Sequence, residues 1–367
     1  MRRIIIFLLI IMTAAFFAAP YGAEEQPGEE QPYEEQPPPV ISAQTAIMVE
    51  ANSGEVLYEK NPEQKAYPAS ITKIMTALLA IEKGDLDKKV KISENAAGVE
   101  GSSIYLEAGE KITLRDLVYG LMLRSGNDAA IAIAEEIGGS TERFVIMMNK
   151  RARELGAYRT LFVNPNGLHS SGHYTTAKDM ALIAMAAMKN PEFKKVAAAK
   201  SWVADRGEGK YNYFFNKNKV VYQYTGGTGI KIGFTKAAGR TLVASSERDG
   251  MELICVVMNA PGWFQDTYKL MDYGYDQYET VKITGAEQPV KAVKIKGGSK
   301  NYAMIGSREE IRCPLKKGAE NRISVVYAVP QRQKAPVSRW QEAGYLKIYV
   351  NGRYLFSRPL CYLEDIE

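Results

Sequence analysis

The middle of the chain consists of apolar, alanine-rich segments with helical spacing. ITLRDLVYGLMLRSGNDAAIAIAEEIGG predicts two such helices that break at Ser125-Gly126-Asn127, and PASITKIMTALLAIEKGD, STERFVIMMNKRARELGA and TTAKDMALIAMAAMKNP predict others. Different segments flank this middle: TAIMVEANSGEVLYEKN before it, and TGIKIGFT and RTLVASSERDGMELICVVMNA after it, are typical of strands with hairpin turns. Strands on both sides of a helical middle predict an α+β fold with an antiparallel sheet, rather than a doubly wound parallel one.

The last part of the chain has a pattern of its own. WFQDTYKLMDYGYDQYE predicts a closing helix, and from about Val281 onward the sequence is strand-like, with turns at Gly297-Gly298 and Asn351-Gly352. We therefore expect a helix-and-sheet domain over residues 41–280 and a small all-β domain over residues 281–367.

The N-terminal residues predict export. MRRIIIFLLIIMTAAFFAA begins with a basic pair and continues as an apolar run, which is typical of a signal peptide over residues 1–23. The run is marginal for a membrane span, so an uncleaved anchor is the alternative. EEQPGEEQPYEEQPPP follows, with six glutamates, five prolines and no aliphatic side chain. This composition cannot form a core, so residues 24–40 are predicted to be a disordered spacer that suits work at or beyond the membrane face.

Charge and cysteine usage exclude several classes of protein. The formal charge of +5 is mildly basic and no lysine or arginine run is present, so nucleic acid is not an expected partner. Neither CxxC nor HExxH occurs, which argues against a zinc enzyme. Cys255 lies in the apolar run LICVVM and is expected to be buried. Cys313 and Cys361 could form a disulfide in an exported protein, and the sequence leaves their pairing open.

Ser70 and Lys73 form the first candidate pair for catalysis. They lie three residues apart at a predicted helix start, so they share one face near the positive end of the helix. A serine hydroxyl becomes a good nucleophile when a base takes its proton, and a lysine can do so if burial or nearby positive charge lowers its pKa. The plainer alternative, a helix-start serine beside a solvated lysine, arises often by chance.

Ser125 and Asn127 lie in the predicted break between two apolar helices. Because both flanks are apolar, we expect the break to be held against the core. A hydroxyl and an amide at that place could relay protons and fix a substrate amide. The alternative is an ordinary helix end followed by an asparagine cap.

GIKIGFT, residues 229–235, supplies a third group of candidates on a predicted strand. Gly233 would let a bound peptide approach the backbone closely, and the Lys231 ammonium and Thr235 hydroxyl could bind a carboxylate. The alternative is an edge-strand lysine. The order and spacing of the three groups favour the catalytic interpretation: SxxK, then SGN about 50 residues later, then KxG about 100 residues further.

This set is an altered form of the SxxK, SDN and KTG motifs of class A β-lactamases and penicillin-binding proteins. From about Gln44 onward the chain resembles the D-alanyl-D-alanine carboxypeptidases, the low-molecular-mass penicillin-binding proteins of serine peptidase family S11. The resemblance rests on PASITKIMTA, GSSIYLEAGEKITLRDLVYGLMLRSGNDAA, FVNPNGLHSSGHYTTAKDMA and GIKIGFTKAAGRTLVAS. It implies a penicillin-binding, β-lactamase-like transpeptidase domain, with an antiparallel sheet and helices, followed by the family's β-rich C-terminal domain.

The resemblance implies roles for the first two groups of candidates. Ser70 would attack the carbonyl between the two terminal D-alanines of a peptidoglycan stem peptide, with Lys73 as general base. Ser125 and Asn127 would assist proton transfer and hold the substrate. β-Lactam antibiotics would acylate the same serine, and neither a cofactor nor a metal would be needed.

It also implies roles for the GIKIGFT strand. Lys231 and Thr235 would bind the terminal carboxylate, with Gly233 between them at the point of closest approach. The backbone amides of Ser70 and Phe234 would form the oxyanion hole.

Ile232 departs from the family pattern, which has threonine there. Strand alternation predicts that this side chain faces away from Lys231, although the family's threonine reaches the carboxylate. Losing one hydrogen bond to a charged group costs roughly 1.5–3 kcal/mol. We therefore expect a working site with altered carboxylate recognition, for which Thr235 could compensate.

The C-terminus is a second departure. Relatives often end in an amphipathic membrane-anchoring helix, whereas this chain ends SRPLCYLEDIE, which is short and acidic. Peripheral membrane association would therefore depend on the N-terminal segment staying uncut. An exported enzyme in the cell wall or at the outer face of the cytoplasmic membrane is the expectation.

Three functions stay open on the sequence. An active D,D-carboxypeptidase is the expected one. A D,D-endopeptidase or a weak β-lactamase of the same fold is the second, although no class A-like glutamate motif for deacylation follows SGN. The third is a non-catalytic penicillin-binding or wall-binding protein whose site has decayed at Ile232.

Overall fold

The computed structural model describes residues 35–367. The predicted signal peptide at residues 1–23 and most of the predicted spacer lie outside this range, and residues 35–40 contain neither helix nor strand. Within the described range, no helix combines the length and the apolar character needed to cross a bilayer.

Strands from both ends of the first 280 residues build one antiparallel sheet, as the sequence predicts. The strands up to residue 284 are β1 (Thr45–Glu50), β2 (Val56–Lys60), β3 (Lys89–Lys91), β4 (Lys111–Thr113), β5 (Ser201–Val203), β6 (Tyr213–Phe215), β7 (Gly227–Thr235), β8 (Gly239–Arg248), β9 (Met251–Met258) and β10 (Tyr278–Thr284). The five-stranded sheet has the order β2-β1-β9-β8-β7. β8 and β9 form the predicted hairpin through Asp249 and Gly250, whose φ values of 51° and 75° suit a turn that matches strand twist.

The helices lie between β2 and β7 in the chain, apart from one that follows β9. They are α1 (Lys73–Lys83), α2 (Leu114–Tyr119), α3 (Asn127–Gly138), α4 (Thr141–Glu154), α5 (Ala177–Met188), α6 (Pro191–Ala198), α7 (Val220–Gln223) and α8 (Trp263–Gln277). The predicted break between two apolar helices is confirmed: after α2 a π-helical turn ends at Ser125, whose φ is 64°, and α3 begins at Asn127. Side-chain caps explain the starts of α4 and α5, since the hydroxyls of Ser140 and Thr176 each accept from a backbone N–H three residues on.

The sheet is buried on both faces. Alternate residues of β1 point to opposite sides, so Ile47 and Val49 join the core shared with α1, whereas Ala46 and Met48 pack on the side that α8 covers. A strand covered on both faces favours apolar side chains on each face, which explains the apolar runs at residues 46–49 of β1 and 253–258 of β9. The α+β class predicted from the sequence is confirmed.

The C-terminal part is all β and has a core of its own, as predicted. Its strands are β11 (Lys291–Lys296), β12 (Tyr302–Gly306), β13 (Ile311–Lys316), β14 (Ile323–Ala328), β15 (Arg332–Lys334), β16 (Glu342–Val350) and β17 (Arg353–Tyr362). Six of them form a sheet in the order β14-β16-β17-β12-β11-β15, and β13 pairs with β10. Asn351 and Gly352 form the predicted turn between β16 and β17, with φ values of 51° and 78°.

Cys313 and Cys361, whose pairing the sequence leaves open, do not form a disulfide in the structure. Both residues are free, buried thiols. Cys313 lies on β13 opposite Val281 of β10, whereas Cys361 lies on β17 in the six-stranded sheet. The two strands belong to different sheets, so spacing in the sequence could not show how the thiols are placed. Cys255 is fully buried, as expected.

Candidate active site

Ser70 lies in a single 3-10 turn, Ala69–Thr72, directly before α1, and not in the regular helix start that the sequence predicts. The difference follows from the backbone of Ala69, whose φ of 49° lies in the left-handed region. In a 3-10 turn, residues three apart eclipse each other more closely than in an α-helix. Lys73 therefore lies directly beneath Ser70, and its Nζ is 3.1 Å from the Ser70 Oγ.

The Lys73 amine has two further partners, and these define its orientation. Its Nζ donates to the Asn127 side-chain oxygen at 2.7 Å and to the Asn166 backbone carbonyl at 2.5 Å. Both partners are oxygens that only accept hydrogen bonds. A neutral amine has two N–H groups and one lone pair, so when both N–H groups serve these oxygens, the lone pair is directed at the Ser70 hydroxyl. The contacts therefore orient Lys73 to accept a proton from Ser70.

Asn127 is itself held in one orientation. Its side-chain nitrogen donates to the Glu100 carbonyl at 2.6 Å, which leaves the side-chain oxygen for Lys73. Its backbone N–H donates to the Ser102 carbonyl at 2.6 Å. A Cβ at Gly101 would lie only 2.7 Å from the Asn127 side-chain nitrogen, so a glycine is needed there. The loop around residue 101 thus sets the amide, and Ser125 is buried at the same break between helices.

Asp128 is a buried residue that sequence reasoning missed. Its carboxylate accepts from the backbone N–H groups of Ile104 and Leu106 and from the Ser103 hydroxyl at 2.6 Å. These bonds fix the loop that covers Asn127. The sequence did contain a sign of this residue: Asp128 is an acidic residue in the first turn of the helix that follows the Ser125-Gly126-Asn127 break.

Lys231 lies on β7 with its side chain buried, 1% exposed, and its Nζ donates to the Ile232 carbonyl at 2.9 Å. Burial, with Lys217 nearby, lowers the pKa of Lys231 to about 7. Burial, followed by the charges of Lys231 and Lys217, holds the pKa of Lys73 well below its ordinary value, against the opposing effect of Asp128. Lys217 is a further group that the sequence did not single out.

Ile232 faces away from Lys231, as strand alternation predicts. Its side chain is half-buried and packs with the apolar cluster on the α8 side of the sheet, which includes Val220 and Leu242. The Thr235 hydroxyl accepts from the Ala238 N–H at 3.0 Å. Its own proton is still available to a ligand, because a hydroxyl donates one hydrogen bond while it accepts others.

Gly233 brings β7 against the turn that carries Ser70. A Cβ at Gly233 would lie 2.8 Å from the Ser70 backbone nitrogen and 2.5 Å from the Thr241 hydroxyl. Thr241 in turn donates to the Pro68 carbonyl at 3.0 Å and so ties β8 to the approach to Ser70. Only glycine permits β7 to lie this close to the Ser70 backbone nitrogen. Phe234 is the next residue of the strand.

The structure thus brings the three predicted groups together around one buried amine. Ser70, Lys73 and Asn127 are linked by direct contacts, and β7 abuts the Ser70 backbone. Sequence reasoning missed the Asn166 carbonyl, because a backbone acceptor leaves no mark in residue type. A serine hydroxyl beside a buried amine of lowered pKa can be deprotonated and can attack a carbonyl carbon. The fold and this arrangement define a serine hydrolase.

Comparison with known proteins leads to the family. Residues 31–262 match the D-alanyl-D-alanine carboxypeptidase family of peptidases (S11), and residues 278–367 match the C-terminal domain of penicillin-binding protein 5. The D-alanyl-D-alanine carboxypeptidase DacF of Bacillus subtilis is 36% identical over 89% of this chain and 86% of its own length. The chain belongs to the D-alanyl-D-alanine carboxypeptidase family.

Solved structures support the same assignment. Penicillin-binding protein 5 of Haemophilus influenzae superposes with a TM-score of 0.70 at 30% identity, covering 90% of this chain and 99% of that one. A peptidoglycan synthesis regulatory factor (PBP3) of Streptococcus pneumoniae superposes with a TM-score of 0.73 at 27% identity, covering 89% and 100%. The similarity therefore extends over both the helix-and-sheet part and the β-rich C-terminal part.

Proposed function

We propose that this chain is a serine-type D-Ala-D-Ala carboxypeptidase that removes the terminal D-alanine of peptidoglycan stem peptides and is acylated by β-lactams. The observation that carries the proposal is the set of contacts of Lys73, whose two acceptor partners leave its lone pair for Ser70. Family membership supplies the substrate class, and the geometry supplies the chemistry.

The first half of the reaction is acylation. Lys73 takes the Ser70 proton as Oγ bonds to the carbonyl carbon of the penultimate D-alanine. Negative charge develops on the carbonyl oxygen, and the backbone N–H groups of Ser70 and Phe234 are the proposed donors to it. The tetrahedral intermediate collapses when the C–N bond breaks, and the proton held by Lys73 passes to the leaving nitrogen, with Ser125 and Asn127 as proposed aids.

The second half is hydrolysis of the ester. Water adds to the acyl carbon and gives a proton to Lys73, and the ester C–O bond breaks to return the proton to Ser70. The products are free D-alanine and the shortened peptide, and no cofactor enters the balance. Lys231 and the Thr235 hydroxyl are the proposed partners of the terminal carboxylate during binding.

We further propose where the protein works. The catalytic domain spans residues 41–280 and the β-rich domain residues 281–367, preceded by a signal peptide at 1–23 and a spacer at 24–40. The protein is exported to the cell wall or the outer face of the cytoplasmic membrane, where it takes part in peptidoglycan biosynthesis and the maintenance of cell shape. Peripheral membrane association is proposed for the case in which the N-terminal segment stays uncut, and nucleic acid is not a proposed partner.

The experiment that tests the proposal measures D-alanine released from a soluble peptide ending in D-Ala-D-Ala. Cross-linked peptide dimers and a chromogenic β-lactam are assayed in parallel. Turnover of the linear peptide, with slow loss of the β-lactam adduct, is the expected result. Faster cleavage of dimers would assign an endopeptidase instead, and rapid β-lactam turnover would assign a β-lactamase. Silence on all three with intact penicillin labelling would indicate a binding protein.

Replacing Ile232 with threonine is expected to change kcat/KM for the peptide by less than about threefold, because the side chain of residue 232 lies on the α8 side of the sheet, away from Lys231. Because Ile232 packs with an apolar cluster, the change also costs about 1 kcal/mol of stability. Ile232→Val is the matched control, since it shortens the side chain without adding a hydroxyl. Equal rates for the two variants are therefore expected, and a gain of about tenfold in the threonine variant alone would show that a hydroxyl at residue 232 reaches the carboxylate.

The pH profile is expected to be bell-shaped. Lys73 must be neutral to act as base, so kcat/KM rises as pH passes its lowered pKa. Lys231 must be charged to attract a carboxylate, so kcat/KM falls as pH rises through about 7, the pKa of Lys231 in the free protein. Lys231→Arg keeps its charge throughout, so this variant is expected to lose the alkaline limb and to retain the acid limb. Persistence of the alkaline limb in the arginine variant would assign that limb to another group.

Substituting Gly233 with alanine is expected to reduce the acylation rate by about 100-fold, because the added methyl group pushes β7 away from the Ser70 backbone and displaces the oxyanion donors. Gly285→Ala, in the turn after β10, is the control, since a Cβ there meets nothing nearer than the flexible Gln288 side-chain oxygen at 3.2 Å. Rates of penicillin acylation measured for both variants decide the matter. A Gly233→Ala protein that acylates at the wild-type rate would contradict the close approach of β7 to Ser70.

A further inference from the structure

The segment from Phe162 to His173 runs beside the first turn of α1, largely without regular secondary structure. It supplies the carbonyl of Asn166 to Lys73 at 2.5 Å and the carbonyl of Pro165 to the Thr76 hydroxyl at 2.6 Å. A segment outside a helix or sheet has no hydrogen-bond ladder to hold its carbonyls in place. The position of the Asn166 carbonyl therefore depends on side chains that fix the segment, among them Asn149 of α4 at Phe162 and Thr76 of α1 at Pro165.

His173 makes such a link with both ring nitrogens. Its Nδ1 accepts the Val163 backbone N–H at 3.1 Å. A neutral imidazole with Nδ1 as acceptor carries its proton on Nε2, and Nε2 lies 2.8 Å from the Thr72 hydroxyl oxygen. Thr72 directly precedes Lys73. The ring thus joins the backbone of the segment, three residues before Asn166, to the residue before the catalytic lysine.

The environment keeps this ring neutral. His173 is 1% exposed, and burial, followed by the nearby charges of Lys73 and His169, lowers its pKa to about 4. A protonated ring would present an N–H to the Val163 N–H and would add a second charge beside Lys73. At neutral pH the acceptor on Nδ1 and the donor on Nε2 are therefore both maintained.

A histidine that only fills space would show a different pattern. His173 does pack against Phe162, with ring centroids 5.7 Å apart. Packing alone would not place both nitrogens on partners from two separate parts of the chain. The two hydrogen bonds have opposite polarity, so a plain apolar ring of the same size could not form either of them.

We propose that His173 is a positioning residue for Lys73: it ties the Phe162–His173 segment to Thr72, so that the Asn166 carbonyl takes one N–H of the amine and the lone pair stays directed at Ser70. The inference rests on the proposed role of Lys73 as general base. His173 itself touches neither substrate nor the reacting atoms in this scheme.

The test compares variants by their rate constant for acylation by a penicillin at saturating concentration. His173→Phe keeps a ring and removes both hydrogen bonds, and it is expected to lose roughly 10- to 100-fold in acylation rate. His173→Gln offers a donor and an acceptor, and it should stay within about threefold of wild type because both links can be remade. The concentration dependence, which reports non-covalent penicillin binding, should be unchanged in both variants.

Two further variants separate positioning from stability. Thr72→Val removes the hydroxyl that accepts from the His173 Nε2 proton, and it should show the same fall in acylation rate as His173→Phe. This variant keeps the inference testable if His173→Phe does not fold. Val257→Ala leaves a cavity in the fully buried core on the far side of the sheet and should lower thermal stability without changing the acylation rate.

The acid limb of the acylation pH profile distinguishes positioning of Lys73 from a purely structural role, because loss of stability alone would not move that limb. The Asn166 carbonyl stabilises the protonated amine, so its loss should lower the pKa of Lys73 and move the limb to lower pH in His173→Phe. The limb should not move in Val257→Ala.

Unchanged acylation in both His173→Phe and Thr72→Val would overturn the inference, as would equal losses in His173→Gln and His173→Phe. These outcomes are distinct from failure of the proposed function, which would appear as a wild-type protein that penicillin does not acylate.

Discussion

Replacing Ser70 with alanine is expected to abolish D-alanine release and covalent labelling by penicillin together. The hydroxyl is the proposed nucleophile, and no other hydroxyl contacts Lys73 in the described residues. Loss of a nucleophile in a serine hydrolase lowers kcat by on the order of 10⁴-fold or more. The variant should still fold, because removing one oxygen from a half-buried position leaves no large cavity. Peptide turnover, fluorescent penicillin labelling and thermal melting together check this result.

Ser324→Ala is the matched control for that experiment. Ser324 is an exposed residue of β14 in the C-terminal sheet, so the same chemical change is made away from Lys73. It should leave both assays at the wild-type level. Penicillin labelling that survives in Ser70→Ala would place the nucleophile on another residue and would refute the proposed mechanism.

Lys73→Met is the second change with a large expected effect. Methionine keeps much of the length and apolar stem of lysine but cannot take a proton, so acylation should fall by about 10²- to 10⁴-fold. Penicillin is expected to label the variant slowly, since Ser70 and the backbone donors remain. A wild-type acylation rate in this variant would show that another group is the base.

The same substitution changes how stability depends on pH. The pKa of Lys73 is lowered in the folded state, so between that value and the unfolded value of about 10.4 the unfolded chain binds more protons. Wild-type stability therefore rises with pH across this window. Lys73→Met removes that dependence, so the melting temperature of the variant relative to wild type should increase as pH falls from about 10. A difference independent of pH would mean that the pKa of Lys73 is not lowered by folding.

Local pattern was sufficient to predict most of the elements. The apolar repeat of α1 and α5, the caps at Ser140 and Thr176, and the Asp249-Gly250 turn each depend on neighbours in the chain. The apolar runs of β1 and β9 predicted strands. These features depend on residues close together in the chain, through intrinsic propensity, helix capping and the spacing of apolar residues. They can therefore be predicted from the sequence alone.

Other features depended on contacts between distant segments. The sequence predicted a regular helix start at Ser70, whereas the structure has a 3-10 turn there, because Ala69 adopts a positive φ and Thr241 of β8 binds the Pro68 carbonyl. Whether Cys313 and Cys361 pair, which the sequence left open, also depended on the fold, since the two thiols lie in different sheets and are free.

The sequence by itself determined the α+β class, the all-β C-terminal part, the family and the candidate side chains, because the motif residues occur in order at recognisable spacing. Only the tertiary structure decided how Lys73 is oriented. Its partners come from residues 54 and 93 positions away, and one of them is a backbone carbonyl. Residue types can reveal which groups are available for catalysis, but the direction of a lone pair depends on acceptors that folding brings together from separate parts of the chain.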